Sequence, residues 1–375
     1  MDLHPEDQAR RRRIATRGVL LCAIGLRVLS VDAVADQQEA LLAAWNHRQK
    51  SVQSFHFAWS GNHFRGAGAV ESLSVVGPGG KTPTRGDLSS KTHTSLYLDG
   101  KGRFRVDTEG QVWSREASAY VPQSTCNLLD GELQKTFSSR TITTEFPIGI
   151  IMDGTTSDSR KVVLYWPIML AYRPFDTTMS YLDPGSLKMT AEQGMVDGRP
   201  CLILRQRTGD FVRTVWVDAG REFVPVRCLS ERGGVTSFQI DVSHSKDAKY
   251  GWVPTSWSIA LLEKHGAISE SWDAKVVKYE LNETIPESTF QLNYPPGTMV
   301  SNSMTKESYL VLEDGGKRPI QPGEFTGSNY DKLLHTAPAS ERVDLRIALT
   351  VASLALLGVM WYLLSSWRRR VRQRA

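Results

Sequence analysis

Residues 211–229 read FVRTVWVDAGREFVPVRCL, and this stretch decides the architecture. Phe211, Arg213, Val215 and Val217 alternate with their neighbours. The β-branched content suits a pleated, half-buried strand. Asp218, Ala219 and Gly220 supply a turn, and 224–229 run back. Two short apolar runs around a turn predict paired antiparallel strands. Just upstream, 200–206 makes a third strand after Asp197-Gly198. Downstream, Phe238, Ile240 and Val242 alternate, and 252–262 and 267–281 form a long pair around His265-Gly266. On the N-terminal side, Leu96 and Leu98 face Phe104 and Val106 across Asp99-Gly100. Asp-Gly occurs five times, at 99–100, 130–131, 153–154, 197–198 and 314–315. Successive hairpins without intervening helices predict an antiparallel meander.

Two segments read as helices. Residues 36–52 place Leu41, Trp45 and Val52 on one face, with Asp36 and Glu39 at the favourable N-terminal end. Residues 162–171 (VVLYWPIMLA) are uniformly apolar. They are too short to span a bilayer and too apolar for an exposed face, so a buried helix is predicted, kinked or divided at Pro167. It serves either as a plain core element or as a movable plug over an apolar cavity. From Ser54 the period becomes two, with Phe55, Phe57 and Trp59 on one face. Residues 77–94 are polar and rich in Gly, Pro, Ser and Thr, and read as a long loop. A further short pair surrounds Asp314-Gly315, and Glu313-Asp314 read as solvated turn acids.

With 41% hydrophobic and 23% charged residues, the 375-residue chain can bury a core, which excludes general disorder. Its net charge of +5 suggests a nucleic-acid partner only until the charge is located. Six arginines lie within 1–35 and five within 368–375; the remainder has 34 basic and 36 acidic residues. A nucleic-acid groove needs its charge on the folded body. Arg10 to Arg13, the apolar run 18–26 and Ala33-Val34-Ala35 form a secretory signal ending at 35. An uncleaved anchor and an ordinary buried helix are the alternatives. Residues 347–367 carry no charge across 21 positions, about 31 Å as a helix, and match a bilayer's core. The arginines that follow place the C-terminus in the cytoplasm and residues 36–346 outside it.

After signal removal Cys126, Cys201 and Cys228 remain. Cys201 and Cys228 fall on strands separated by a third. Two strand spacings are roughly 9.6 Å, beyond the roughly 7 Å reach of a disulfide. Both therefore read as buried thiols. No HExxH, GxSxG or P-loop occurs, and no GxGxxG in a strand-to-helix setting. The eight histidines are scattered; His56 and His63 fall on opposite faces of one strand and read as surface residues. No catalytic residue, cofactor-binding residue or metal ligand is assigned, and an enzyme is not expected.

The order of several short motifs resembles a known superfamily. Trp45 and Arg48 form Trp-x-x-Arg on the first helix, and Ser54-Phe55 opens the first strand. After the apolar inner helix come 196–201 (VDGRPC), 215–218 (VWVD), 225–227 (PVR), 251–254 (GWVP) and 285–300 (IPESTFQLNYPPGTMV). The order is similar to that of the periplasmic lipoprotein carriers, the LolA- and LolB-type outer-membrane lipoprotein-sorting proteins. The resemblance covers 36–300. It implies an α+β fold: a curved antiparallel sheet, an incomplete barrel, with helices covering its concave face and acyl chains bound in the hollow. A soluble carrier crosses the periplasm, whereas this chain carries a C-terminal transmembrane helix, which departs from that pattern.

The expected organisation is a signal (1–35), a half-barrel domain (36–300), a short β extension (301–327), a tether (328–346), a transmembrane helix (347–367) and a basic tail (368–375). The expected function is an inner-membrane-anchored, extracytoplasmic protein binding lipid or lipoprotein acyl chains. Trp59, Trp166, Met169, Leu170, Phe238 and Trp257 are the candidate lining, because apolar pockets with few polar groups suit lipid tails. Two other readings stay open: an envelope sensor or regulator acting through a membrane protein partner, and a purely structural envelope module.

Overall fold

Alternation and turn chemistry build one continuous sheet. The computed structural model describes residues 31–66, 88–114, 116–117, 119–141, 144–154, 163–176, 182–263 and 265–335. A first meander comprises β1 (Phe55–Arg65), β2 (Leu88–Leu98), β3 (Phe104–Ser114), β4 (Ala119–Leu129), β5 (Leu133–Ser138) and β6 (Ile148–Asp153). A second comprises β7 (Lys188–Val196), β8 (Arg199–Thr208), β9 (Phe211–Asp218), β10 (Val224–Arg232), β11 (Val235–Asp247), β12 (Gly251–Leu262) and β13 (Ile268–Leu281). Pairing of β1 with β13 fuses the two, and β14 (Met299–Asn302), β15 (Glu307–Val311) and β16 (Lys317–Ile320) extend the far side. All neighbours are antiparallel except β14, which runs parallel to β6. Among the described residues the outer sides of β16 and β7 have no strand partner. The result is a large open sheet, as an incomplete barrel requires.

The hairpins follow their turn residues. Leu96 pairs with Val106 and Leu98 with Phe104, as the sequence predicts. Asp197 (φ 48°) and Gly198 (φ 74°) are both left-handed, the conformation whose twist matches a two-residue hairpin. Four of the five Asp-Gly pairs lie between paired antiparallel strands. The fifth ends β6: a Cβ on Gly154 would stand 2.8 Å from the Glu132 carbonyl oxygen, so the glycine there serves close backbone approach.

Residues 88–94 correct the predicted loop. They are the first half of β2, paired with β1 along their whole length and with β3 from His93 onward. Their serines and threonines satisfy a pleated backbone as well as a loop does, and pairing with β1 decides the outcome. The expected span at 347–367, the arginine-rich ends and most of the signal lie outside the described residues. No described helix is long and apolar enough to cross a membrane.

Helix α1 (Val31–Ser51) begins before the predicted Asp36 and buries Leu41 and Trp45. Residues 163–165 form a 3-10 turn that passes into α2 (Trp166–Tyr172). Pro167 lies in the first turn of α2, where its missing N–H would have no partner, so it divides the segment rather than breaking it. All seven residues of α2 are buried. Both helices pack on the face that carries Phe55, Phe57, Trp59, Leu96, Val215, Val217, Trp257 and Ile259, forming the main core. Burying each large side chain there contributes about 1.5–3 kcal/mol.

The opposite face has its own cover. After β13 the chain returns across the first meander to reach β14. Phe290 packs with Cys126 and Leu128, and the Tyr294 ring lies against Gly149 while its hydroxyl donates to the Ile150 carbonyl at 3.1 Å. Arg105 fastens this strap, donating to the Thr289 and Gln291 carbonyls at 2.9 Å each. β14 spans residues 300 and 301, so the sheet continues without interruption into the short C-terminal strands. Helix α3 (Tyr330–Leu334) then stacks Tyr330 on Phe146, with 4.3 Å between ring centroids.

Cys201 on β8 and Cys228 on β10 are buried free thiols with β9 between them, and Cys126 on β4 is buried and free as well. Burial pushes the Cys228 and Cys126 thiols up to about 12, so neither is a nucleophile at neutral pH.

Candidate ligand cavity

The structure brings the six predicted lining residues together in the main core. The Trp59 and Trp257 rings meet edge to face at 5.1 Å, and Trp166 meets Phe238 at 5.4 Å. Met169 and Leu170 are fully buried on α2. Arg213 lies 4.7 Å from the Trp166 ring. These side chains pack against one another, because α2 lies directly on the sheet. None of the six borders the cavity over β1 to β4.

Along β1 to β4 the helix-covered face changes character. The row Trp59, Thr94, Thr108 and Thr125 runs across four strands in register. On one side of it lie Phe57, Leu96 and Val106; on the other lie Ser90, Thr92, Gly110 and Gln123. Here a cavity of about 330 Å³ opens, with Leu164 of the 3-10 turn on its wall. Val112, Trp113, Tyr120 and Trp272 add apolar surface, while Ser90, Thr92, Thr108, Gln123, Thr125 and Thr141 add polar groups.

His63 and Arg65 form the charged corner. His63 Nε2 donates to Glu270 Oε1 at 2.6 Å, and Arg65 Nε donates to the same oxygen at 2.7 Å. Burial alone would raise the Glu270 carboxyl, but these two donors outweigh it and hold it below the ordinary carboxylate value. His63 stacks on Trp272 at 4.7 Å, and Trp113 meets Tyr120 at 5.3 Å. Burial raises the Tyr120 phenol, opposed by Arg65.

His63 therefore corrects the expectation of a surface histidine, since its ring is held between Glu270 and Trp272. His56, on the other face, is likewise held: it stacks on Tyr97 at 4.2 Å and bonds Glu280 at 3.0 Å. The sequence reading missed the cavity because it assigned Ser90 and Thr92 to a loop. A period-two reading of Ser90, Thr92, Thr94, Leu96 and Leu98 would have placed all five on one face.

A second polar cluster surrounds the Trp-x-x-Arg motif. Trp45 Nε1 donates to the Phe223 carbonyl at 2.6 Å, and Arg48 Nη2 donates to the Glu222 carbonyl at 2.7 Å. Glu222 and Phe223 are consecutive left-handed residues, at φ 56° and 57°. The motif thus clamps a strained turn ahead of 225–227. Asp218 sits beside it, 3.1 Å from Arg199 and 3.4 Å from Arg221. This cluster is structural in its contacts and does not border the cavity beside His63. Among the described residues no group of three His, Cys, Asp or Glu side chains is placed to hold a metal ion.

No family model and no curated protein matches the chain. Among solved structures, it is similar to a domain from Vibrio parahaemolyticus provisionally assigned as an outer membrane lipoprotein-sorting protein. Identity is 9%, coverage is 68% of this chain and 97% of that one, and the TM-score is 0.40. It is also similar to a LolA superfamily protein from Nitrosomonas europaea, at 11% identity, 68% and 98% coverage, and a TM-score of 0.37. No residue role passes from either to this chain.

Proposed function

We propose that this protein binds an acyl-bearing amphiphile, a lipid or a lipoprotein, noncovalently on the helix-covered face of its open sheet, and that its role is binding rather than catalysis. The observation that supports this reading is the boundary at Thr94 and Thr108. On one side of it the face is an aromatic and aliphatic core; on the other it is a cavity with a hydroxyl-rich floor. Leu164, Val112 and Trp272 give the cavity an apolar wall. A site apolar on one side and polar on the other suits a molecule of the same division. The volume of about 330 Å³ lies at the lower end of the range usual for small-molecule sites. Each methylene buried there would contribute about 0.8 kcal/mol.

We propose further that the body works outside the cytoplasmic membrane, tethered by 347–367 with the arginine tail inside. The uncharged span and the arginines beside it support this placement.

Native mass spectrometry of the gently purified full chain tests the binding reading. Co-purifying lipid, lost in a Leu164→Trp variant that fills the cavity, is the expected result. A chain with no bound lipid and no affinity for a hydrophobic fluorescent probe would overturn it.

A further inference from the structure

We infer that the cavity beside His63 selects a neutral, polyhydroxylated head group, of the sugar or glycerol class. This deepens the amphiphile reading and rests on it for the apolar part of the ligand. The first observation is charge. Among the described residues Arg65 is the only arginine or lysine on the cavity wall, and its Nε is ion-paired with Glu270 at 2.7 Å. Glu270 also accepts a hydrogen bond from His63 Nε2 at 2.6 Å. An anionic head would therefore find no unpaired cation, and a cationic head would compete with two donors already in place. Moving either charge into this half-buried site without a partner is unfavourable.

The second observation is the polar floor. Ser90, Thr92 and Thr125 make no side-chain hydrogen bond within the described residues, yet all three border the cavity. Each hydroxyl can donate once and accept twice. Gln123 gives its amide nitrogen to Ser138 Oγ at 3.1 Å and to the Arg140 carbonyl at 2.6 Å. Those bonds fix the side chain and leave its Oε1 as an acceptor. The floor thus mixes donors and acceptors carried by neutral groups, which matches a ligand bearing several hydroxyls. Trp113, Tyr120 and Trp272 border the same space and offer flat apolar surfaces to the carbon skeleton of such a ligand.

The test uses the full chain in lipid nanodiscs, with empty nanodiscs as the blank. Equilibrium dialysis measures hexyl β-D-glucoside, hexylphosphocholine, hexyl sulfate and glucose, each below its micellar concentration. Hexyl glucoside should bind about tenfold more tightly than either charged head. The near-isosteric double variant Thr92→Val, Thr125→Val should erase that preference, a loss of about tenfold for two hydrogen bonds, and leave hexyl sulfate unchanged. Equal binding of all three hexyl compounds overturns the head-group inference and leaves the amphiphile reading standing. Glucose binding as tightly as hexyl glucoside keeps the head-group inference and overturns the amphiphile reading. Absence of binding by any probe overturns both.

Discussion

His244 shows how one residue can carry the pH dependence of the molecule. It follows Ile240 and Val242 on the inward face of β11, and neither ring nitrogen has a hydrogen-bond partner. Burial, reinforced by Arg48 of α1, Arg221 and Arg199 of β8, depresses its pKa to about 3. In the unfolded chain a histidine titrates near 6.5. Between those values the unfolded state binds a proton that the folded state refuses. The contribution of His244 to stability is therefore complete above about pH 6.5 and is lost progressively as pH falls toward 3. The slope approaches about 1.4 kcal/mol per pH unit. Urea midpoints from pH 7 to pH 4 should fall less steeply for His244→Leu than for the natural chain; identical slopes would refute the assignment. The alternation of Phe238, Ile240 and Val242, carried on by two residues, would have placed this histidine inward. What the sequence could not show is that three arginines from distant positions converge on it. Trp45 and Arg48 were likewise visible as a motif, but the carbonyls they clamp lie 178 and 174 positions away.

At the scale of elements, local chemistry was legible and distant pairing was not. The hairpins of β2–β3 and β7–β8 follow from turn residues and alternation inside one short window. α2 was legible because ten apolar residues in a row have few places to go. The first half of β2 was misread because Ser and Thr serve loops and strands alike, and only the distant pairing with β1 settles it. Two features depend entirely on long-range contact: the parallel pairing of β14 with β6, and the strap held by Arg105. Arg105→Met keeps the aliphatic stem and removes both bonds to the strap carbonyls. Bonds from a charged donor contribute about 1.5–3 kcal/mol. Amide exchange should accelerate across residues 286–292 and stay unchanged in β11 and β12. Uniform acceleration throughout would mean that the strap is part of the global fold rather than a locally fastened cover.

On the scale of the whole molecule, the candidate site divided in two. The sequence selected four aromatic and two aliphatic residues of the core, and the structure gathers all six of them. The cavity is built instead from hydroxyls and rings on five strands, β1 to β4 and β13, a combination with no local motif. The ends of the chain follow different physics, since a bilayer reads mean apolarity and flanking charge rather than packing. The body closes on itself at α3, where Tyr330 stacks on Phe146. A chain cut after His335 therefore keeps every described element. We predict that the full chain sediments with membranes and resists carbonate extraction, and that the cut chain is recovered in the soluble extracytoplasmic fraction with its fold intact. A tag placed after Ala375 should be protected from protease in intact spheroplasts and exposed on lysis. Release of the full chain by carbonate would refute the span at 347–367, and a protease-accessible tag would refute its orientation. If the cut chain stays on the membrane while the full chain resists carbonate, a second anchor must act. The apolar run at 18–26, retained rather than cleaved, would be the first segment to delete.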